Sequence, residues 1–248
     1  MDFLIQKIDS SVGVEERLLM ESLRRHDSYI LSSLEEMENI PAGDMVPVGS
    51  LEFVQKHLSV FHDIHQMCPI ELPVCLRIEG FVSRQYRICS FDELPVAGRW
   101  FIKRADRLKV FGRLMEDDEV REIHEDRFFT RDGLYAVSSP VDIISEWRAY
   151  ISRQKVLAVT NYDGDPFAIP DRGTIYRAMW ALETDKGHVW PASYTIDAAV
   201  LKDGRTELLE IHPFTSVGLY TSLWGAELPV CYADGYRWYL EQNRPAEK

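Results

Sequence analysis

The stretch that most constrains the fold is YTIDAAVLKDGRTELLEIHPF, Tyr194 to Phe214. Two apolar, β-branched-rich runs flank Asp203-Gly204, and an Asp-Gly pair between alternating hydrophobics is a strong hairpin signal. With Asp203 and Gly204 as the two loop residues, Leu201 faces Thr206, and counting down the ladder sets Asp197 opposite Glu210 and Thr195 opposite His212. Opposed residues share a face of the sheet. Like charges directly across a ladder destabilise it unless positive charge lies between them. A hard divalent cation with oxygen ligands is the simplest such charge.

The chain as a whole has the composition of an enzyme-sized soluble body. It has 248 residues, 46% hydrophobic and 27% charged, near the averages for globular proteins. Lys+Arg 28 against Asp+Glu 40 gives a net charge of -12, which argues against nucleic acid or an anionic membrane as partner. No apolar run has membrane-spanning length, and MDFLIQKIDS lacks the layout of a signal peptide, so a cytoplasmic location is expected. The four cysteines have no CxxC spacing and read as reduced thiols. Oligomeric state is not legible.

Residues 1–75 read as a small α/β domain. FLIQKI is a strand, VEERLLMESLRR a helix with Val14, Leu18, Leu19 and Leu23 near one face, and YILSS and DMVPVGS are further strands. Ser50 caps a helix over LEFVQKHL with Leu51, Val54 and Leu58 inward. Residues 76–138 turn β-rich, with short strands over VCLRIEGF, QYRICSF and RWFIKRA. Within FIKRADRLKVFGR, Lys103 follows two large hydrophobes, so a strand can carry its stem while the ammonium enters a cleft. The basic cluster reads either as a phosphate grip, with Lys109 to Gly112 as a flap, or as a solvated strand end paired with the acidic stretch downstream.

Residues 139–248 begin with SPVDIISEWRAYISRQKV, a strand turning at Arg153-Gln154, which projects Glu146 and Arg148 from one face. TIYRAMWALETDKG is a packed helix, with Arg172 and Arg177 near its start as candidates for an anionic substrate. DGYRWYLEQ is a terminal amphipathic helix.

A strand lysine, a Glu-x-Arg strand, and a strand Asp followed thirteen residues later by Glu-x-His occur here in that order. On FIK, SPVDIISEWR, YTID and LLEIHPF the chain resembles the ATP-grasp superfamily, and EWR with EIHPFTSVGLY resembles a bacterial and phage-associated clade of it. The resemblance implies an ATP-grasp fold, two α+β lobes clasping ATP, preceded by the small α/β N-terminal domain. It implies Lys103 on the ATP phosphates, Ser139, Pro140 and Val141 as the hinge meeting adenine, and Glu146 on the ribose. Lys56 matches a second phosphate-facing lysine, and Lys109 sits in the flap. Asp197 and Glu210 match the magnesium carboxylates, and Arg148 holds the γ-phosphate or acylphosphate. His212 stands where Asn is more usual, and either binds metal weakly, favours manganese, or donates to phosphate. The implied activity is ATP- and Mg2+-dependent joining of a small-molecule or peptide carboxylate to an amine. A nucleotide-binding module without turnover and an ATP-dependent kinase are the alternatives.

Overall fold

A computed structural model describes residues 1–108, 110–220, 223 and 225–243. The first 62 residues form a three-stranded parallel sheet with two helices. Its strands are β1 (Asp2–Gln6), β2 (Ser28–Ser32) and β3 (Met45–Val48), in the order β2-β1-β3, with helices α1 (Val14–Ser22) and α2 (Leu51–His62). The central strand reads Phe-Leu-Ile because a parallel strand is covered on both faces. Phe3 and Ile5 pack with Leu19 of α1, while Leu4 points the other way onto Met37, Met45 and Phe53. Ser50 caps α2 as its position predicts, accepting from the Phe53 N–H at 3.2 Å. Val54 and Leu58 are buried, whereas Val14, expected inward on α1, is exposed.

The second sheet is antiparallel, in the order β4-β7-β5-β6, from β4 (Tyr86–Ser90), β5 (Trp100–Arg104), β6 (Gly112–Met115) and β7 (Leu134–Ser138). Ile102, Met115, Tyr135 and Val137 form its core with Ile123 and Phe129, beside the short helix α3 (Asp117–Arg121). The strand expected over VCLRIEGF is absent. Val74–Leu76 is a 3-10 turn, and Gly80 at φ +94° reverses the chain. With Pro73 at the turn's start, the apolar residues there enter the core irregularly instead of alternating along a ladder.

The third sheet is also antiparallel, in the order β11-β10-β8-β9, from β8 (Ile143–Ser152), β9 (Lys155–Gly164), β10 (Ser193–Leu201) and β11 (Thr206–Pro213). Alternation gives it two different faces. One carries Ala149, Ile151, Ile196, Ala198 and Ile211 onto helix α4 (Arg172–Thr184) and onto Ile70, Leu72, Leu76, Phe81 and Val82. The other carries Glu146, Arg148, Asp197, Glu210 and His212. The turn between β8 and β9 places Arg153 and Gln154 both at positive φ, the geometry of a tight two-residue hairpin.

The turn between β10 and β11 differs from expectation. Leu201 donates its N–H to the Arg205 carbonyl at 2.8 Å, so the loop holds three residues, Lys202 to Gly204, and Val200 rather than Leu201 faces Thr206. A bulge beyond Ala198–Leu208 then inserts Leu209 and restores the register to Asp197 opposite Glu210 and Thr195 opposite His212. The two one-residue offsets cancel at the carboxylates.

Helix α5 (Leu228–Gln242) ties the sheets together. Leu228, Cys231 and Tyr232 pack with Phe3, Tyr150 and Phe214, and Tyr236 and Tyr239 pack against α2. No helix among the described residues is long and apolar enough to cross a membrane.

Where α5 meets α2, His57 is fully buried and its Nδ1 lies 2.8 Å from the Tyr236 hydroxyl. Its Nε2 is buried without a partner. Burial, helped by the nearby His62, pushes the imidazole pKa down to about 4. A base whose pKa falls on folding stabilises the fold above its unfolded value, about 6.5, and that stability is lost as pH falls toward 4. Chemical denaturation between pH 7 and about pH 4 is therefore expected to show a loss on the order of 2–3 kcal/mol from this group. His57→Phe should flatten that part of the profile, and an unchanged slope would remove His57 as its source.

Candidate functional site

The polar face of the third sheet meets the open side of the second sheet across a cleft of about 380 Å³. Lys103, Ser139, Pro140, Val141, Glu146 and Asp197 line it, together with Glu210. A second cleft of about 530 Å³ adjoins it, sharing Phe101, Lys103 and Glu210 and adding Arg104, Arg148 and His212. Residues separated by more than one hundred positions thus meet at one junction.

Two ion-pair groups organise the junction. Arg148 grips Asp197 with two of its nitrogens, Nε to Oδ1 at 2.8 Å and Nη2 to Oδ2 at 2.7 Å, a bidentate geometry only guanidinium provides. They are direct cross-strand neighbours in the β8–β10 ladder. Burial alone would lower the Arg148 pKa, but the Asp197 carboxylate outweighs it and holds the guanidinium above its ordinary value. Arg148 also lies over the rings of Tyr162 and Tyr220, at 5.6 and 5.4 Å. Those rings stack 5.2 Å apart.

Across the ladder, Glu210 accepts from Lys103 Nζ at 3.0 Å and its other oxygen lies 2.8 Å from His212 Nε2. Burial pushes the Glu210 carboxyl up. The His212 hydrogen bond and the Lys103 charge overcome that and hold it well below the usual carboxylate range. Lys103 crosses from the second sheet to the third in making this bond, and it is also 3.9 Å from Glu71.

Ligand atoms of Asp197, Glu210 and His212 all lie within 4.8 Å of one another. Two carboxylates fit a hard divalent cation, and the imidazole suits manganese better than magnesium. The donor set therefore accepts a cation once Arg148 and Lys103 give up the carboxylate oxygens they now hold.

Glu146 accepts from the Tyr162 hydroxyl at 2.6 Å on the wall of the first cleft. Ser139 to Val141 form the passage from β7 to β8, tied to Gln85 by the Ser139 N–H to the Gln85 carbonyl and the Gln85 N–H to Ser139 Oγ, both 3.0 Å. Three other expected residues lie elsewhere. Lys56 lines neither cleft; its ammonium sits 3.0 Å from Glu38, because its position on α2 turns it toward the N-terminal sheet's own acidic turn. Arg172 and Arg177 engage Tyr176 and Thr174 of their own helix and also line neither cleft. Lys109 lies outside the described residues. The basic segment around it divides: Lys103 enters the junction, while Arg104 pairs with Asp106 and Arg113 with Asp126.

The residues that sequence reasoning missed include the partners that hold this face in place. Arg84, on the wall of the first cleft, donates to Glu207 at 2.6 Å and to the carbonyls of Leu208 and Leu209 at 2.7 and 3.2 Å. It therefore grips the bulge that sets Glu210 opposite Asp197. Burial pushes the Glu207 carboxyl up, but bonds from Ser83 and Arg84 bring it below its ordinary value. Tyr162 and Tyr220 were equally silent. Tyr162 offers only strand alternation, which does not distinguish a cleft wall from a packing face, and Tyr220 lies in a turn after β11, where no alternation applies.

Both side chains of the Arg84–Glu207 pair are almost fully buried. Arg84→Met, which strands the carboxylate, is expected to cost about 3–5 kcal/mol in chemical denaturation. Arg84→Met combined with Glu207→Met should recover most of that loss, and strictly additive losses would show that the two side chains are not coupled.

Comparison with known proteins bears on this geometry. The profile of a family described as ATP-grasp domain, R(2)K clade family 2, matches residues 81–223, which contain the charged residues of both clefts named above. No curated protein matches significantly. Among solved structures, D-cycloserine synthetase DcsG aligns with a TM-score of 0.60 at 12% identity over 96% of this chain and 100% of that one. D-alanine–D-alanine ligase from Bacillus anthracis aligns with a TM-score of 0.54 at 13% identity over 98% and 99%. Macrocyclase MdnC from Microcystis aeruginosa MRC, bound with precursor peptide MdnA, aligns with a TM-score of 0.52 at 13% identity over 95% and 98%. Identities this low establish the shared fold alone. With more than half of its length matched by the family profile, the chain belongs to that second family of the ATP-grasp clade and has the ATP-grasp fold.

Proposed function

We propose that the protein is an ATP- and magnesium-dependent ligase that joins a carboxylate to an amine through an acylphosphate. The observation that carries this reading is the junction itself. Lys103, Arg148 and two carboxylates stand where a cleft walled by Glu146 and the 139–141 passage opens into a second, cationic cleft. The division into domains at 1–75, 76–138 and 139–248 belongs to the same reading, with the nucleotide between the last two.

In this account the backbone of Ser139 to Val141 meets adenine, and Glu146 accepts from the ribose hydroxyls. Asp197 and Glu210 hold the divalent cation, with His212 as a third ligand or as a donor to phosphate. A bound magnesium ion would neutralise phosphate oxygens and polarise the γ-phosphoryl group. Lys103 and Arg148 then exchange their carboxylate partners for phosphate oxygens. Each partner of both ion pairs thereby gains a new opposite charge, so no buried charge is left alone.

The acceptor carboxylate oxygen attacks the γ-phosphorus, the bond to the bridging oxygen breaks, and ADP leaves. An amine nitrogen then attacks the acyl carbon, loses a proton, and phosphate departs with the C–O electron pair. Arg148, facing the second cleft, stabilises the charge on the transferring group by position alone. The neighbouring folds include a D-alanine–D-alanine ligase and a macrocyclase bound with a precursor peptide, so the acceptor class extends from amino acids to peptides.

Sustained, multiple-turnover ADP formation in mixtures of amino acids and peptides is expected to require both an acid and an amine, with the condensed product visible by mass spectrometry. Asp197→Asn and Glu210→Gln should each lower turnover by roughly 10²–10³-fold or more while leaving circular dichroism unchanged. Tight ATP binding with no ADP from any acid would sink the ligase reading. A stable phosphorylated product accumulating over many turnovers without an amine would make the protein a kinase.

A further inference from the structure

The edges of the three sheets are not alike. An exposed strand edge is a template for another chain, and proteins blunt it with charges, prolines or bulges. Edge strand β3 carries Pro47, β4 carries Arg87, and β6 carries Arg113. Edge strand β9 carries Lys155 and Asp163 and is irregular at two points, and β11 carries Glu207, Glu210 and a bulge. Strand β2, Ser-Tyr-Ile-Leu-Ser, has none of these devices. Tyr29, Ile30 and Leu31 are 44%, 45% and 39% exposed, three consecutive large hydrophobics turned to solvent.

The backbone shows which groups the edge offers. Ser28 donates its N–H to the Met1 carbonyl and Ser32 offers its carbonyl to the Lys7 N–H, so both residues face β1. Alternation makes Ile30 face β1 as well and turns the N–H and C=O groups of Tyr29 and Leu31 to the open side. In a two-fold antiparallel pairing, Tyr29 of one copy then exchanges both hydrogen bonds with Leu31 of the other, and Ile30 meets Ile30 at the axis. This is the register that uses both outward-facing residues of each copy twice over.

The flanking charges favour the same antiparallel direction. The turn before the strand carries Arg24 and Arg25 and the turn after it carries Glu35 and Glu36, so antiparallel pairing brings the basic turn of one copy beside the acidic turn of the other. All four residues are exposed. A basic end preceding the strand and an acidic end following it are self-complementary only when the strands run antiparallel.

We propose that the β2 edge is a homodimer interface. Two copies join their parallel three-stranded sheets into one continuous six-stranded sheet about a two-fold axis through Ile30. The arrangement is isologous, so it consumes the unblunted edge of each copy and closes. No β2 residue lines either cleft, so the interface and the ligase reading stand or fall separately.

Light scattering on the full chain over a concentration series is expected to show a monomer–dimer equilibrium. At a non-hydrogen-bonded antiparallel pair the Cα atoms are roughly 4.5 Å apart, within the range of about 4.4–6.8 Å that a disulfide spans. In a Cys68→Ser background, Ile30→Cys should therefore form a disulfide-linked dimer on mild oxidation, while Tyr29→Cys, which opposes Leu31 and not itself, should not. Arg25→Glu or Glu35→Arg alone should weaken dimerisation by roughly fivefold, and the two together should restore it. A chain that stays monomeric at every concentration overturns the proposal. A dimer that Ile30→Cys fails to cross-link, or one indifferent to the charge exchange, also overturns it.

Discussion

Two carboxylates on adjacent strands, one buried and one half-buried, each held by a cation, are the interaction on which the site depends. Asp197 and Glu210 face each other across the β10–β11 ladder, where bare like charges would push the strands apart. Arg148 takes both oxygens of one, and Lys103 with His212 takes the other. The sheet is thus charge-balanced before any ligand arrives. Lys103 supplies that balance from a different sheet, so the same bond that quiets Glu210 also spans the cleft between the two lobes.

A balanced site of this kind is prepared to exchange partners. A phosphate group presents the charge that Arg148 and Lys103 now find in carboxylates, and a divalent cation presents the charge that the carboxylates now find in Arg148 and Lys103. Bringing either ligand alone strands one set of partners, whereas bringing both satisfies all of them. Positioning rests on Arg84 and Glu207, which hold the Leu209 bulge from below. Without the bulge, the three-residue turn would leave Leu209, not Glu210, opposite Asp197.

Much of this was legible because it is local. Alternation in YTIDAAV and LLEIHPF, the Asp-Gly turn, the Ser50 cap and the Glu-x-Arg spacing each carry their meaning within a few residues. The loop length was misread and the carboxylate pairing still came out right, because a bulge one residue deep compensated a turn one residue long. What was not legible is long-range. Arg84 finds Glu207 across 123 positions, and no spacing encodes that. Lys56 fails for the converse reason: a matching distance along the chain says nothing of direction, and α2 points it at Glu38. The VCLRIEGF stretch has strand-like residue types, but its destination is the core beneath α4, which accepts an irregular path.

The central claim is that cation and phosphate exchange places with the Arg148 and Lys103 pairs, and mutual dependence of the two ligands is its signature. Calorimetric titration of ATP with and without magnesium, in the wild type and in Asp197→Asn and Glu210→Gln, measures that dependence directly. The account predicts that magnesium tightens ATP binding to the wild type by at least about tenfold. It predicts that each variant loses most of this gain while binding metal-free ATP at least as tightly as the wild type. An equal magnesium effect in the wild type and both variants would contradict it.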